Sequence, residues 1–118
     1  EVRALLRRYG LIPPEAGFPV IEDDTFIAEV DFAWPQQKVA VQVHGGTIHR
    51  QPRTWEEDQL IENALQAKGW FVAKATRKMI RQTPGLLPAQ LEHELRVRSN
   101  RAGPRPGAVA AVRGSALR

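Results

Sequence analysis

Residues 39 to 76 carry the pattern that most narrows the choice of fold: an apolar run, VAVQV, then a capped amphipathic helix, then a second apolar run, WFVAKAT. Thr54 followed by Glu57 is a capping box. Leu60, Ile61, Ala64 and Leu65 make the apolar stripe of the helix, and Gly69 stops it. Strand, helix and strand in that order form a βαβ unit, whose two strands pair in parallel. Upstream, TFIAEVDFAW alternates, with Phe26, Ala28, Val30, Phe32 and Trp34 on one face and Ile27, Glu29 and Asp31 on the other. The short PQQK connection leads into Val39 to Val43, so residues 25 to 43 read as a β-hairpin. In its second strand Val39, Val41 and Val43 share a face, leaving Ala40, Gln42 and His44 on the other. That period places Asp31 where it can converge with Gln42 and His44 across neighbouring strands.

Helices are expected at both ends. VRALLRRY puts Val2, Leu5, Leu6 and Tyr9 on one stripe, with Gly10 as the stop, and GLLPAQLEHELRVR predicts a last helix from near Pro88 with Leu91 and Leu95 facing inward. LIPPEAGFPV reads as loop, since proline breaks both helices and sheet ladders. Trp55 and Trp70 are expected in the core. The fold class is therefore α/β: a mixed central sheet (hairpin 25–43, helix 54–68, strand 70–75) flanked by helices, with one domain over residues 1–98. Residues 99–118 are rich in Pro, Gly, Ala and Arg without periodicity and read as a disordered basic tail. Glu1 falls inside a helical pattern, so the domain reads as trimmed at its N-terminus.

Composition excludes several classes. No apolar run approaches the ~20 residues that span a bilayer, and nothing at the N-terminus reads as a signal peptide. With no cysteine, there is neither disulfide nor thiolate metal site, which suits a reducing, cytoplasmic location. The net charge of +4 belongs to the tail: residues 1–100 carry 13 basic and 13 acidic side chains, and residues 101–118 add four arginines and no acid. Such a tail suits nucleic acid and serves equally as a solubilising extension.

The chemistry-bearing groups are Asp31, Gln42, His44, His49, Glu57 and Asp58. Mg²⁺ prefers oxygen ligands and needs only one or two carboxylates when phosphate supplies the rest. Asp31 and a strand-end carbonyl at Val43 meet that need. Phosphodiester hydrolysis also requires a base and a group that stabilises charge on the phosphate, and histidine serves either purpose near neutral pH. Asp58 is placed to orient His49. Each residue also has an ordinary explanation: Asp31 as a solvated partner of a lysine, His44 as a polar strand end, His49 as a loop residue, and Glu57 and Asp58 as acids offsetting the helix dipole. His93 lies between glutamates on a surface helix, and the two strand-end histidines lack the third ligand that zinc requires.

In order and spacing, these residues resemble the very-short-patch-repair (Vsr-like, EDxHD) branch of the PD-(D/E)XK restriction-endonuclease-like superfamily, over roughly residues 1 to 80. Glu1 ahead of VRALLRRYGL, Asp31 in EVDFAWP, Val43 followed by HGGTIH, and Asp58 in EEDQLIENALQAKGW carry the resemblance. It implies a restriction-endonuclease-like α/β/α core and a Mg²⁺-dependent DNA endonuclease or nickase, with Mn²⁺ able to substitute. Asp31 and the Val43 carbonyl would bind the metal, Glu1 would reach it through water, His49 would be the general base oriented by Asp58, and His44 would stabilise the phosphate. The cysteines of the family's structural zinc site are absent, and Gln42 and His44 stand where the wider superfamily has Glu and Lys. Two alternatives remain open: a nuclease using Asp31, Gln42 and a further acid, Glu29 or Glu57, without a histidine base, or an inactive nucleic-acid-binding module. The implied setting is intracellular, prokaryotic or phage-type, with DNA as partner, no membrane, and a monomer or homodimer.

Overall fold

The computed structural model describes residues 2–44 and 54–102. Eight elements follow one another: α1 (Val2–Arg8), β1 (Glu15–Glu22), β2 (Thr25–Trp34), β3 (Val39–His44), α2 (Trp55–Ala67), β4 (Phe71–Thr76), α3 (Arg77–Gln82) and α4 (Leu86–Ala102). The sheet is mixed, in the order β1-β2-β3-β4. Its first two pairings are antiparallel and the third, β3 with β4, is parallel from Val39↔Phe71 to His44↔Thr76. The α/β class, the hairpin and the parallel βαβ unit are thus as the sequence predicts.

Both faces of the sheet are covered. On one, Val2 and Leu6 of α1 and Leu87, Leu91 and Leu95 of α4 pack with Phe32, Trp34, Val39, Val41, Ala73 and Ala75. On the other, Leu65 of α2 and Trp70 join Val20, Val30, Ala33 and Ala40. The segregation of Val39 and Val41 from Ala40 is the strand period of two made visible.

Local chemistry sets the ends of α1 and α2. The Thr54 side chain accepts from the Glu57 N–H at 3.1 Å while the Glu57 carboxylate accepts from the Thr54 N–H at 2.9 Å, a complete capping box. At the far end Gly69 has φ +88°, its N–H reaches the Gln66 carbonyl at 2.9 Å, and the Trp70 N–H reaches the Leu65 carbonyl at 3.0 Å. This Schellman motif is completed by the apolar cluster that Leu65 and Trp70 share. Gly10, at φ +77°, ends α1 in the same way.

Several expectations need correction. LIPPEAGFPV is not all loop, because β1 begins at Glu15 and pairs with β2 through Pro19↔Glu29. β1 is an edge strand among the described residues, a setting in which proline's missing donor is harmless. The helix expected over 54–68 is bounded by its caps to Trp55–Ala67, and the strand expected over 70–75 runs from Phe71 to Thr76. Leu60 is 68% exposed and Ala64 is exposed, because the inward stripe of α2 runs instead through Asp58, Ile61, Glu62 and Leu65. Trp70 is buried as expected, but Trp55 is 75% exposed. Phe26 lies out on the hairpin, 61% exposed. α4 begins two residues before Pro88 and continues to Ala102, into the segment read as a disordered tail, and α3 was not anticipated. Residues 103–118 lie outside the described residues. Among the described residues no helix is long and apolar enough to cross a membrane.

The β1–β2 connection is a two-residue turn in which Asp23 (φ +52°) and Asp24 (φ +63°) both adopt left-handed backbone. That is the type I′ geometry, in which glycine is favoured. Asp23 holds Lys68 at 2.7 Å, and the contact depresses its carboxyl below the ordinary aspartate value, chiefly through the hydrogen bond. Asp24 is thus the residue to change. Asp24→Gly is expected to raise stability by about 0.5–1 kcal/mol, read as a higher midpoint in denaturant unfolding.

Candidate active site

Asp31 is the one charged residue that is buried among the described residues, with 1% of its surface exposed. The explanation of Asp31 as a solvated lysine partner therefore fails. Burying a carboxylate is costly unless it is hydrogen-bonded. Here its Oδ2 accepts from the Val43 main-chain N–H at 2.5 Å, a charge-assisted bond of the stronger kind.

The backbone explains how this bond arises. The β2–β3 ladder runs from Trp34↔Val39 to Phe32↔Val41 and stops, while the β3–β4 ladder continues to His44↔Thr76. The strand period slips at the same point: Val30 joins the cluster of Ala33, whereas Phe32 and Trp34 belong to the other. The expected single face from Phe26 to Trp34 is therefore broken at Asp31. β2 and β3 part there, and the Asp31 side chain, instead of a β2 carbonyl, takes the Val43 donor. The fork lies toward the carboxyl end of β3, and in open α/β sheets the crevice beyond the strand carboxyl ends is where ligands bind.

Gln42 lies one residue before Val43 and is half-buried. Its Oε1 is buried and has no hydrogen-bond partner among the described residues. An orphaned amide oxygen of this kind costs about 1–3 kcal/mol unless a ligand, ion or water meets it. His44 is exposed at the end of β3, opposite Thr76 on β4. Asp58 is half-buried in the first turn of α2. Glu57 is instead occupied by the capping box, which leaves it poorly disposed to act as a further metal ligand. Glu1 and His49 lie outside the described residues. His93 is exposed on α4, consistent with a surface position.

Two residues were missed from sequence. Lys74 on β4 pairs in register with Gln42, and its Nζ meets the Glu62 Oε1 of α2 at 3.2 Å. The signal was present in FVAKAT, whose period sets Lys74 apart from Ala73 and Ala75, both buried on the opposite face. For α2, the i, i+4 step from Asp58 to Glu62 marks the same side of the helix.

The donor set is one of hard oxygens: a buried carboxylate bonded to the Val43 main chain, and a neighbouring amide oxygen that lacks a partner among the described residues. These are the oxygen donors that Mg²⁺ prefers. No group of three or more His, Cys, Asp or Glu residues suited to a metal occurs among the described residues.

This α/β domain, with its four-stranded mixed sheet between helices, is similar to two proteins of Mycobacterium tuberculosis, uncharacterized protein MT2308 of strain CDC 1551 / Oshkosh and uncharacterized protein Rv2248 of strain ATCC 25618 / H37Rv. Identity to each is 29% over 95 residues, which is 80% of this chain and 35% of the relative. The chain thus spans about a third of the length of the curated relatives it matches. No family model matches it, and no solved structure does.

Proposed function

We propose that this domain is a Mg²⁺-dependent DNA endonuclease or nickase built on a restriction-endonuclease-like sheet. The observation that carries the reading is Asp31, a buried carboxylate tied to the Val43 main chain where β2 and β3 part. The sequence resemblance supplies the remaining roles: the Val43 carbonyl and, through water, Glu1 at the metal; His49 as general base, with its tautomer held by Asp58; and His44 against the phosphate. Asp58 lies in the first turn of α2, and His44 is exposed at the end of β3. Bound Mg²⁺, or Mn²⁺ in its place, would polarise the phosphate and stabilise the charge that develops on it. The protein's part is to hold the phosphate in line, take a proton from the attacking water and exclude other geometries.

One rival has its own observation. The unpartnered Gln42 oxygen favours a nuclease in which Asp31 and Gln42 both face the reaction and no histidine base is needed. Both schemes predict that the wild-type protein nicks supercoiled plasmid in Mg²⁺ and Mn²⁺, and that EDTA abolishes the nicking. A folded protein that binds DNA in a salt-sensitive manner yet leaves the plasmid intact under every divalent ion would instead be a binding module.

A further inference from the structure

We infer that Lys74 is the site's phosphate-binding cation, held in reserve by Glu62 until DNA replaces that carboxylate; the inference rests on the nuclease reading above. Lys74 shares the sheet face of Gln42, one parallel strand away and in direct register, and adjacent strands lie only about 4.8 Å apart. Its side chain starts from the position paired with Gln42 and ends at the α2 carboxylate of Glu62, 3.2 Å away. The lysine side chain remains 38% exposed, so an anionic ligand can reach it from solvent. The histidine scheme contains no group that is cationic at every physiological pH, and lysine supplies that charge.

The ordinary explanation is an exposed ion pair contributing little to stability. The two accounts differ in sign. A structural pair suffers equally from loss of either partner. A reserved cation loses function when Lys74 is removed, and its grip on DNA tightens when Glu62 is neutralised, because a competitor for the ammonium is gone.

The test uses the full chain and the variants Lys74→Met, Lys74→Arg and Glu62→Gln. Binding to a short duplex is followed by fluorescence anisotropy across a salt series in Ca²⁺, and nicking in Mg²⁺, with folding checked by circular dichroism. Lys74→Met is expected to lower the slope of log affinity against log salt by about one and nicking by ~10²-fold. Lys74→Arg keeps the salt slope, and Glu62→Gln binds more tightly than wild type. An unchanged salt slope in Lys74→Met, or equal weakening by Lys74→Met and Glu62→Gln, overturns the assignment. Slope loss in a protein that never nicks DNA upholds the phosphate contact and rejects the nuclease. Nicking that survives in Lys74→Met and fails in Asp31→Asn does the reverse. Wild-type protein that does not bind DNA removes both.

Discussion

Asp31→Asn is expected to reduce Mg²⁺-dependent nicking by about 10³-fold or more, because the charge lost is the one that would hold the metal, and metal stabilisation of the transition state is worth several kcal/mol. The fold should survive this change. Asparagine offers an oxygen of the same reach for the Val43 N–H, so that bond can be kept. Asp31→Ala is the less informative variant, since it leaves the Val43 donor unpaired beside a buried gap at a cost of about 1–3 kcal/mol, and a loss of activity would mix with a loss of structure. Thermal unfolding of the Asn variant alongside plasmid nicking separates the two effects. Wild-type turnover in Asp31→Asn would remove this carboxylate from the chemistry and overturn its assignment as the metal ligand.

His49→Ala is expected to slow cleavage by ~10²–10⁴-fold, the usual worth of a positioned general base, with DNA affinity in Ca²⁺ little changed. The informative comparison is Gln42→Ala in the same assay. Under the histidine scheme Gln42→Ala is the milder lesion. Under the rival its loss exceeds that of His49→Ala, since the orphaned oxygen would then be spent on the metal or the attacking water. A ranking of rates for the two variants, obtained at one metal concentration, decides between the mechanisms.

Much of the architecture was legible in the sequence because it rests on local signals. Thr54 and Glu57, Gly69, and the alternation of Val39 to Val43 each report their own neighbourhood, and together they specify a capped helix between parallel strands. What stayed hidden depends on distant partners. Pro19 argues against a strand until β1 is known to lie at the sheet's edge. The roll of α2 about its axis cannot be read from apolar residues alone: the helix turns Asp58 and Glu62 inward and Leu60 outward, and Glu62 meets Lys74 there. The site followed the same division. Asp31 and Gln42 were flagged by strand period, yet the period slips at Asp31, and the burial of its carboxylate follows from the parting of two strands, which no pattern in TFIAEVDFAW announces. Lys74 went unnoticed because a single lysine in a short strand acquires meaning only from the strand beside it.

The guanidinium of Arg98 meets the carbonyls of Gln37 at 3.2 Å, Lys38 at 3.3 Å and Gly69 at 2.7 Å, while Glu94 holds it from within α4. One side chain thus fastens the turn before β3, the loop before β4 and the helix that covers them. Chains are made from the N-terminus at about 5–20 residues per second, so every strand has been synthesised before this fastener exists. For about one to four seconds of translation the nascent sheet presents Phe32, Trp34, Val39 and Val41 with no α4 to cover them. Premature termination anywhere between β4 and Arg98 would yield a sticky, unlatched product, fit for a chaperone or a protease.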